Sequence, residues 1–229
     1  INMNAGVTYF PCQFSADASL VTVVDFGQSG FTSAAGFNLL NTSNLAEPTI
    51  TDGSKYFHNQ LYTGTGSSGL AITNDANFGD FQPDFLWLAP RSNGDNHVMW
   101  DVARGTTSRI KSNSSGAADV DGTALLTFES DGFDLDTTDA NFNGSSRTYV
   151  AWQWKTQGGA GSSNTDGSIN TTTTSVNQTA GFSINTYTGT GSNATVGHGL
   201  GAVPKMILIK DTTNTESWIV YHEAVGNDG

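Results

Sequence analysis

The chain is written in short apolar runs, none long enough to make a helix with a buried face, and the runs are separated by dipeptides that favour tight turns. Leu20 to Val24, Phe85 to Leu88, His97 to Val102, Leu125 to Phe128, Tyr149 to Trp154, Phe182 to Tyr187 and Met206 to Ile209 are each of strand length. Among them stand Asp52-Gly53, Asn93-Gly94, Asp121-Gly122, Asp131-Gly132, Asn143-Gly144 and Asp166-Gly167. Their glycines reach the positive φ values of tight turns without steric cost. No segment sustains a 3.6-residue apolar period, so little helix is expected. The pattern predicts an all-β fold of tandem antiparallel β-sandwich modules, jelly-roll-like in kind.

A second feature is an internal repeat. Tyr62-Thr63-Gly64-Thr65-Gly66-Ser67 returns as Tyr187-Thr188-Gly189-Thr190-Gly191-Ser192, and in both copies a glycine-containing connection leads to a proline, Pro83 or Pro204. Apolar strands follow each proline: Asp84 to Leu88 in the first copy, Lys205 to Ile209 in the second. Loops then lead to Val98-Met99-Trp100 and Ile219-Val220-Tyr221, and Gly105 falls on Gly226. The first copy continues to Tyr149-Val150-Ala151-Trp152-Gln153-Trp154, a strand for which the second has no counterpart before Gly229, so the second module is expected to be truncated. Within that strand Val150, Trp152 and Trp154 share one face, which is read as the core face, with Gln153 and Lys155 opposite.

Composition excludes several classes of function. Of 229 residues, 21 are acidic and 9 basic, giving a net charge of -12 that repels phosphate backbones. Lys55, Arg91, Arg104 and Lys205 are scattered, so no nucleic-acid partner is expected. Cys12 is the lone cysteine, which rules out an internal disulfide. No apolar run approaches the roughly 20 residues that span a bilayer, so no membrane partner is expected either.

Residues 157–180 are mostly Gly, Ser, Thr and Asn, with an unbroken run Thr171 to Thr174, and read as a spacer or an extended strand-forming stalk. The organisation expected is a first β-sandwich repeat over 51–156, this spacer, and the start of a second repeat over 181–229.

At this point the text resembles large virion proteins of marine tailed bacteriophages, tail-fibre-like in kind. The resemblance rests on Gly181 to Gly189, on Val196-Gly197-His198-Gly199-Leu200-Gly201, and, in the first copy, on Phe81-Gln82-Pro83-Asp84, Ser130-Asp131-Gly132-Phe133 and Tyr149 to Lys155. Tyr9-Phe10-Pro11, Asp25-Phe26-Gly27-Gln28 and Gly36-Phe37 look like the closing strands of a SPRY-like sandwich, with its linker occupying residues 1–50. The resemblance implies a multi-domain protein on the virion surface, homo-oligomeric, with other virion proteins and a host-surface glycan or protein as partners. It carries over no catalytic residue.

The candidate sites are few. Asp119 and Asp121 offer oxygen ligands, but in EF-hand spacing the first and twelfth positions would be Ala117 and Phe128, so only an irregular calcium site is open to them. No other cofactor is expected. Trp100 and Trp218 are the candidate glycan platforms, with burial as the competing reading for both. Glu129 and Asp131, two apart, resemble paired glycosidase carboxylates, although Asp131-Gly132 is explained more simply as a turn. Gly64 to Gly69 matches the dinucleotide glycine pattern without the helix that chemistry requires. His58, His97, His198 and His222 are isolated. With no site of clear chemistry, the resemblance implies a non-enzymatic virion structural protein, a tail fibre or surface appendage that presents host-binding modules. The alternatives are a capsid or tail decoration protein, an extracellular adhesin or filament, and a host-glycan depolymerase.

Overall fold

A computed structural model of the chain describes residues 48–77, 80–120 and 126–226. Two compact units divide after Pro48, and every described element falls in the second, Thr49–Gly229. The SPRY-like strands expected in residues 1–50 and the calcium candidate Asp121 lie outside the described residues. The described elements are nearly all strand, in antiparallel sheets, as the turn-punctuated pattern requires.

The first repeat contains β1 (Phe57–Thr63), β2 (Leu70–Thr73), β3 (Phe85–Pro90), β4 (Val98–Asp101), β5 (Gly105–Lys111), β6 (Asp119–Val120), β7 (Leu126–Glu129), β8 (Gly132–Leu135), the short helix α1 (Ala140–Asn143) and β9 (Thr148–Trp154). One sheet runs β1-β9-β3-β4-β5-β6 and the other β2-β8-β7. The core lies between them. Leu86, Leu88, Val98, Trp100 and Ala151 of the larger sheet meet Ile72, Leu126, Phe133 and Leu135 of the smaller one. Helix α1, started by the Asp139 carboxylate accepting from Asn141 N, sets the Phe142 ring edge-on to Trp100 at 4.9 Å. Burying each such side chain stabilises the fold by about 1.5–3 kcal/mol.

The central strand β9 corrects one expectation. Tyr149, Ala151 and Gln153 point into the core, and Val150, Trp152 and Trp154 lie half-buried on the outer face. A strand offers two faces of opposite parity, and the choice between them is settled by partners distant in sequence. Gln153 is fully buried because Asn74 completes it: Asn74 Nδ2 donates to Gln153 Oε1 at 3.1 Å, and Gln153 Nε2 donates back to Asn74 Oδ1 at 2.6 Å.

Residues 157–180 are fastened to the first repeat and do not hang free. Asp84, fully buried, accepts from the backbone N–H groups of Thr156 (2.7 Å) and Gly158 (2.8 Å), and Thr156 Oγ1 meets Ser175 Oγ at 2.5 Å. Ser175 belongs to β10 (Thr173–Asn177), which pairs with β11 (Phe182–Thr186). The β-branched threonines that suggested a stalk have high strand propensity, and their hydroxyls satisfy one another, as between Thr171 and Thr174 at 2.8 Å.

The second copy supplies β11, β12 (Met206–Ile209) and β13 (Ile219–His222). Its geometry repeats that of the first. Phe85↔Asp101, Leu86↔Trp100, Trp87↔Met99 and Leu88↔Val98 in the first hairpin become Met206↔His222, Ile207↔Tyr221, Leu208↔Val220 and Ile209↔Ile219 in the second, position for position. Val102 N donates to Asp84 O at 3.0 Å, and its counterpart Glu223 N donates to Lys205 O at 2.8 Å. The left-handed glycines correspond as well, Gly66 at φ 69° with Gly191 at 71°. Burial differs sharply. Leu86, Leu88, Val98 and Trp100 are fully buried, whereas Ile207, Ile209 and Ile219 remain exposed.

Candidate functional site

The outer face of the larger sheet carries a group of half-exposed aromatic side chains. Strand pairing arranges it in transverse rows: Phe57, Trp154 and Phe85 in one, Asn59, Trp152 and Trp87 in the next, Leu61, Val150 and Ala89 in a third. Phe182 of β11 covers the first row, stacking on Trp154 at 5.8 Å and meeting Phe85 edge-on at 5.7 Å. Phe57 packs on the same Trp154 at 4.9 Å. Among the described residues no aromatic ring caps the middle row, where Trp87 and Trp152, both half-buried, meet edge to face at 5.8 Å with Asn59 exposed beside them.

Next to these rows a cleft of about 690 Å³ opens along β1, the outermost strand of this sheet among the described residues, lined by Ser54, Phe57, His58, Asn59, Gln60 and Asp75. At its approach Asp52 accepts from Ser54 Oγ at 2.5 Å and from Ser54 N at 3.1 Å. The Ser54 hydroxyl hydrogen bond, chief among several influences, holds that carboxyl below its usual range. Aromatic faces, exposed amides and an anionic rim in one neighbourhood suit the noncovalent recognition of a ligand with an apolar C–H face and hydroxyl groups.

The residues singled out in the sequence are placed elsewhere. Trp100 has no exposed surface and lies in the core between the sheets, so it presents no platform. Trp218 is half-buried, and its indole N–H donates to Lys111 O (3.2 Å) and Ser114 O (3.0 Å), pinning the loop before β13 to the turn after β5. Asp119 bonds Lys111 Nζ at 2.8 Å and lies 3.5 Å from Arg109 Nε. Partial burial, the largest influence on it, opposes its charge, but the bonds and charges of Lys111 and Arg109 outweigh burial and hold its pKa below the ordinary value. Asp119 is thus committed to cations of the protein itself. Among the described residues no three acidic, His or Cys side chains converge as metal ligands. Glu129 and Asp131 sit at the tip of the β7–β8 hairpin, where Glu129 pairs with Gly132. Gly64 to Gly69 forms the turn between β1 and β2, with Gly66 N bonded to Asn143 O at 2.9 Å.

The sequence reading missed Asn59, Trp87 and Trp152 as a surface group. Gln153 gave no signal of it, because an amide in the alternation reads as outward-facing until its buried partner Asn74 is known.

The domain of unknown function DUF7483 matches residues 52–229, beginning close to the start of the compact unit at Thr49. The chain belongs to the DUF7483 family. The DUF7483 match runs without interruption through both repeat copies and the β10 segment between them. No curated protein and no solved structure matches the chain.

Proposed function

We propose that this chain is a non-enzymatic structural part of a bacteriophage virion, a tail fibre or surface appendage in which tandem β-sandwich modules space and present host-binding surfaces. The supporting observation is the identical hairpin register in two copies along one chain, Leu86↔Trp100 and Ile207↔Tyr221. Repetition of one unit along a chain extends reach while each unit keeps its own contacts. The open row of Asn59, Trp152 and Trp87 is the surface such a module would offer, and the sequence resemblance to tail-fibre-like proteins points to the particle surface as its setting. The net charge of -12 suits a surface kept soluble and apart from nucleic acid.

The test is imaging of intact particles labelled with an antibody against residues 51–155. Label on the distal tail or fibres is the expected result. Uniform capsid label would make the chain a decoration protein, and particles without label would overturn the virion assignment.

A further inference from the structure

The sequence contains two Asn-Gly steps, Asn93-Gly94 and Asn143-Gly144, and the fold treats them oppositely. Glycine lacks the Cβ that would hinder its own nitrogen, so in either step Gly N can reach the side-chain amide carbon of the asparagine before it. We infer that Asn93 is a modification site, deamidated spontaneously in the folded protein, and that packing shields Asn143 from the same reaction. Gly94 N bonds Asn93 Cγ and gives up its proton, the Cγ–Nδ2 bond breaks, and Nδ2 leaves as ammonia with that proton. The product is a cyclic imide. Water, the only co-reactant, then opens the ring at one carbonyl or the other, leaving aspartate at position 93 or isoaspartate, in which the main chain runs through the side chain.

At Asn93 the path is open. The step lies in the loop between β3 and β4, Gly94 is exposed, and a Cβ added to it would meet nothing. Among the described residues no group accepts from Gly94 N, so the nucleophile is not tied up. Asn93 Oδ1 is buried and has no hydrogen-bond partner among them either, which destabilises the resting rotamer. The carboxamide is held through Nδ2, which donates to Asp95 Oδ2.

At Asn143 it is closed. That side chain is fully buried, its Oδ1 accepts from Thr65 N at 2.9 Å, and its Nδ2 donates to Ser67 O at 2.8 Å and to Thr137 O at 2.6 Å. Gly144 N is itself engaged, donating to the Tyr149 hydroxyl at 2.8 Å. Ring closure there would break these bonds in the interior, where the freed groups are cut off from water. Conversion at Asn93 has a local consequence. Asp95 also binds Arg147 Nη1, which ties the β3–β4 loop to the turn before β9. Deamidation replaces the amide that donated to Asp95 by a second carboxylate, and the two like charges then compete for one guanidinium. The reaction uses no enzyme, and its extent grows with the age of the folded chain. The inference does not depend on the virion reading.

The test incubates the full 229-residue chain at mildly alkaline pH and follows both steps by peptide mapping, with isoaspartate measured by enzymatic methylation. In the folded chain Asn93 should convert at least about tenfold faster than Asn143, and in urea the two rates should agree within about threefold. Gly94→Ala places its Cβ in open space, so the fold should keep its melting temperature while conversion at Asn93 slows by about tenfold. Asn143 converting as fast as Asn93 in the folded chain would overturn the inference, and so would a ratio between the two steps that urea leaves unchanged. An Asn93 that stays unconverted in the folded chain, or a Gly94→Ala chain that keeps its melting temperature and reacts at the unaltered rate, would overturn it too.

Discussion

Asn74 and Gln153, far apart in sequence, exchange both hydrogen bonds of their side-chain amides inside the core. The pair decides which face of β9 is buried. Truncating one partner strands the amide of the other, so Asn74→Ala should destabilise the fold by about 1–3 kcal/mol in urea titration. The double change Asn74→Leu with Gln153→Leu removes both amides together and should cost less than either truncation alone.

Trp100 is fully buried against Phe142, yet its indole N–H finds no hydrogen-bond partner among the described residues. Trp100→Ala should cost about 3–5 kcal/mol through the cavity it leaves. Trp100→Phe keeps an aromatic ring and removes the orphan donor, so its cost should be under about 1.5 kcal/mol. Thermal denaturation of the two variants checks the ranking.

Alkaline stability follows from two stacked phenols. Tyr62 and Tyr149 lie with ring centroids 5.1 Å apart, Tyr62 donating to Phe142 O and Tyr149 to Ala140 O. Burial raises both above the usual 10.0, well above it for Tyr62, where the neighbouring Tyr149 adds to the effect. A raised folded-state pKa means that the folded chain holds protons the unfolded chain has released. The contribution is therefore fully present below about pH 10 and is lost as pH rises through the folded values. Absorbance titration should show these two phenols ionising above the usual tyrosine range, and Tyr62→Phe should flatten the alkaline loss of stability.

The two copies should respond differently to one substitution. A Cβ at Gly64 would strike the Gly144 carbonyl oxygen, whereas one at Gly189, its counterpart, would meet open space. Gly64→Ala should lower the melting temperature by several degrees, as expected for about 1 kcal/mol or more. Gly189→Ala should leave it nearly unchanged.

Trp152 is the aromatic centre of the open middle row. If that row contacts ligand, Trp152→Ala should weaken binding to immobilised bacterial surface polysaccharides by about 2 kcal/mol, or roughly thirtyfold, as for other aromatic anchors. Trp100 cannot serve as the control, because it is a core residue. Leu61→Ala, at the exposed end of the adjacent row, should change binding less.

Strand positions and turns were legible because period and turn chemistry are local properties: Phe85 to Leu88 and Asp131-Gly132 read directly as strand and hairpin tip. The repeat was legible too, down to the proline that precedes both hairpins. The buried face of β9 was not, since Val150, Trp152 and Trp154 look more apolar than Tyr149, Ala151 and Gln153 until Asn74 is known to lie opposite. The strand-forming reading of Thr171 to Thr174 was legible in its threonines, whereas Asp84 and Thr156, which fasten that segment, come from another part of the chain. The candidate surface was hidden by this one exchange of faces, and Trp100 stood out by residue type while its burial is a tertiary property.

The shared register of the two copies is the claim on which the rest depends, and cross-strand nuclear Overhauser contacts test it most directly. Hα–Hα contacts should join Trp87 to Met99 and Leu208 to Val220, the closely spaced non-hydrogen-bonded pairs of the two hairpins. A second hairpin shifted by one residue would lose the Leu208–Val220 contact and exchange its faces, contradicting the structural repeat.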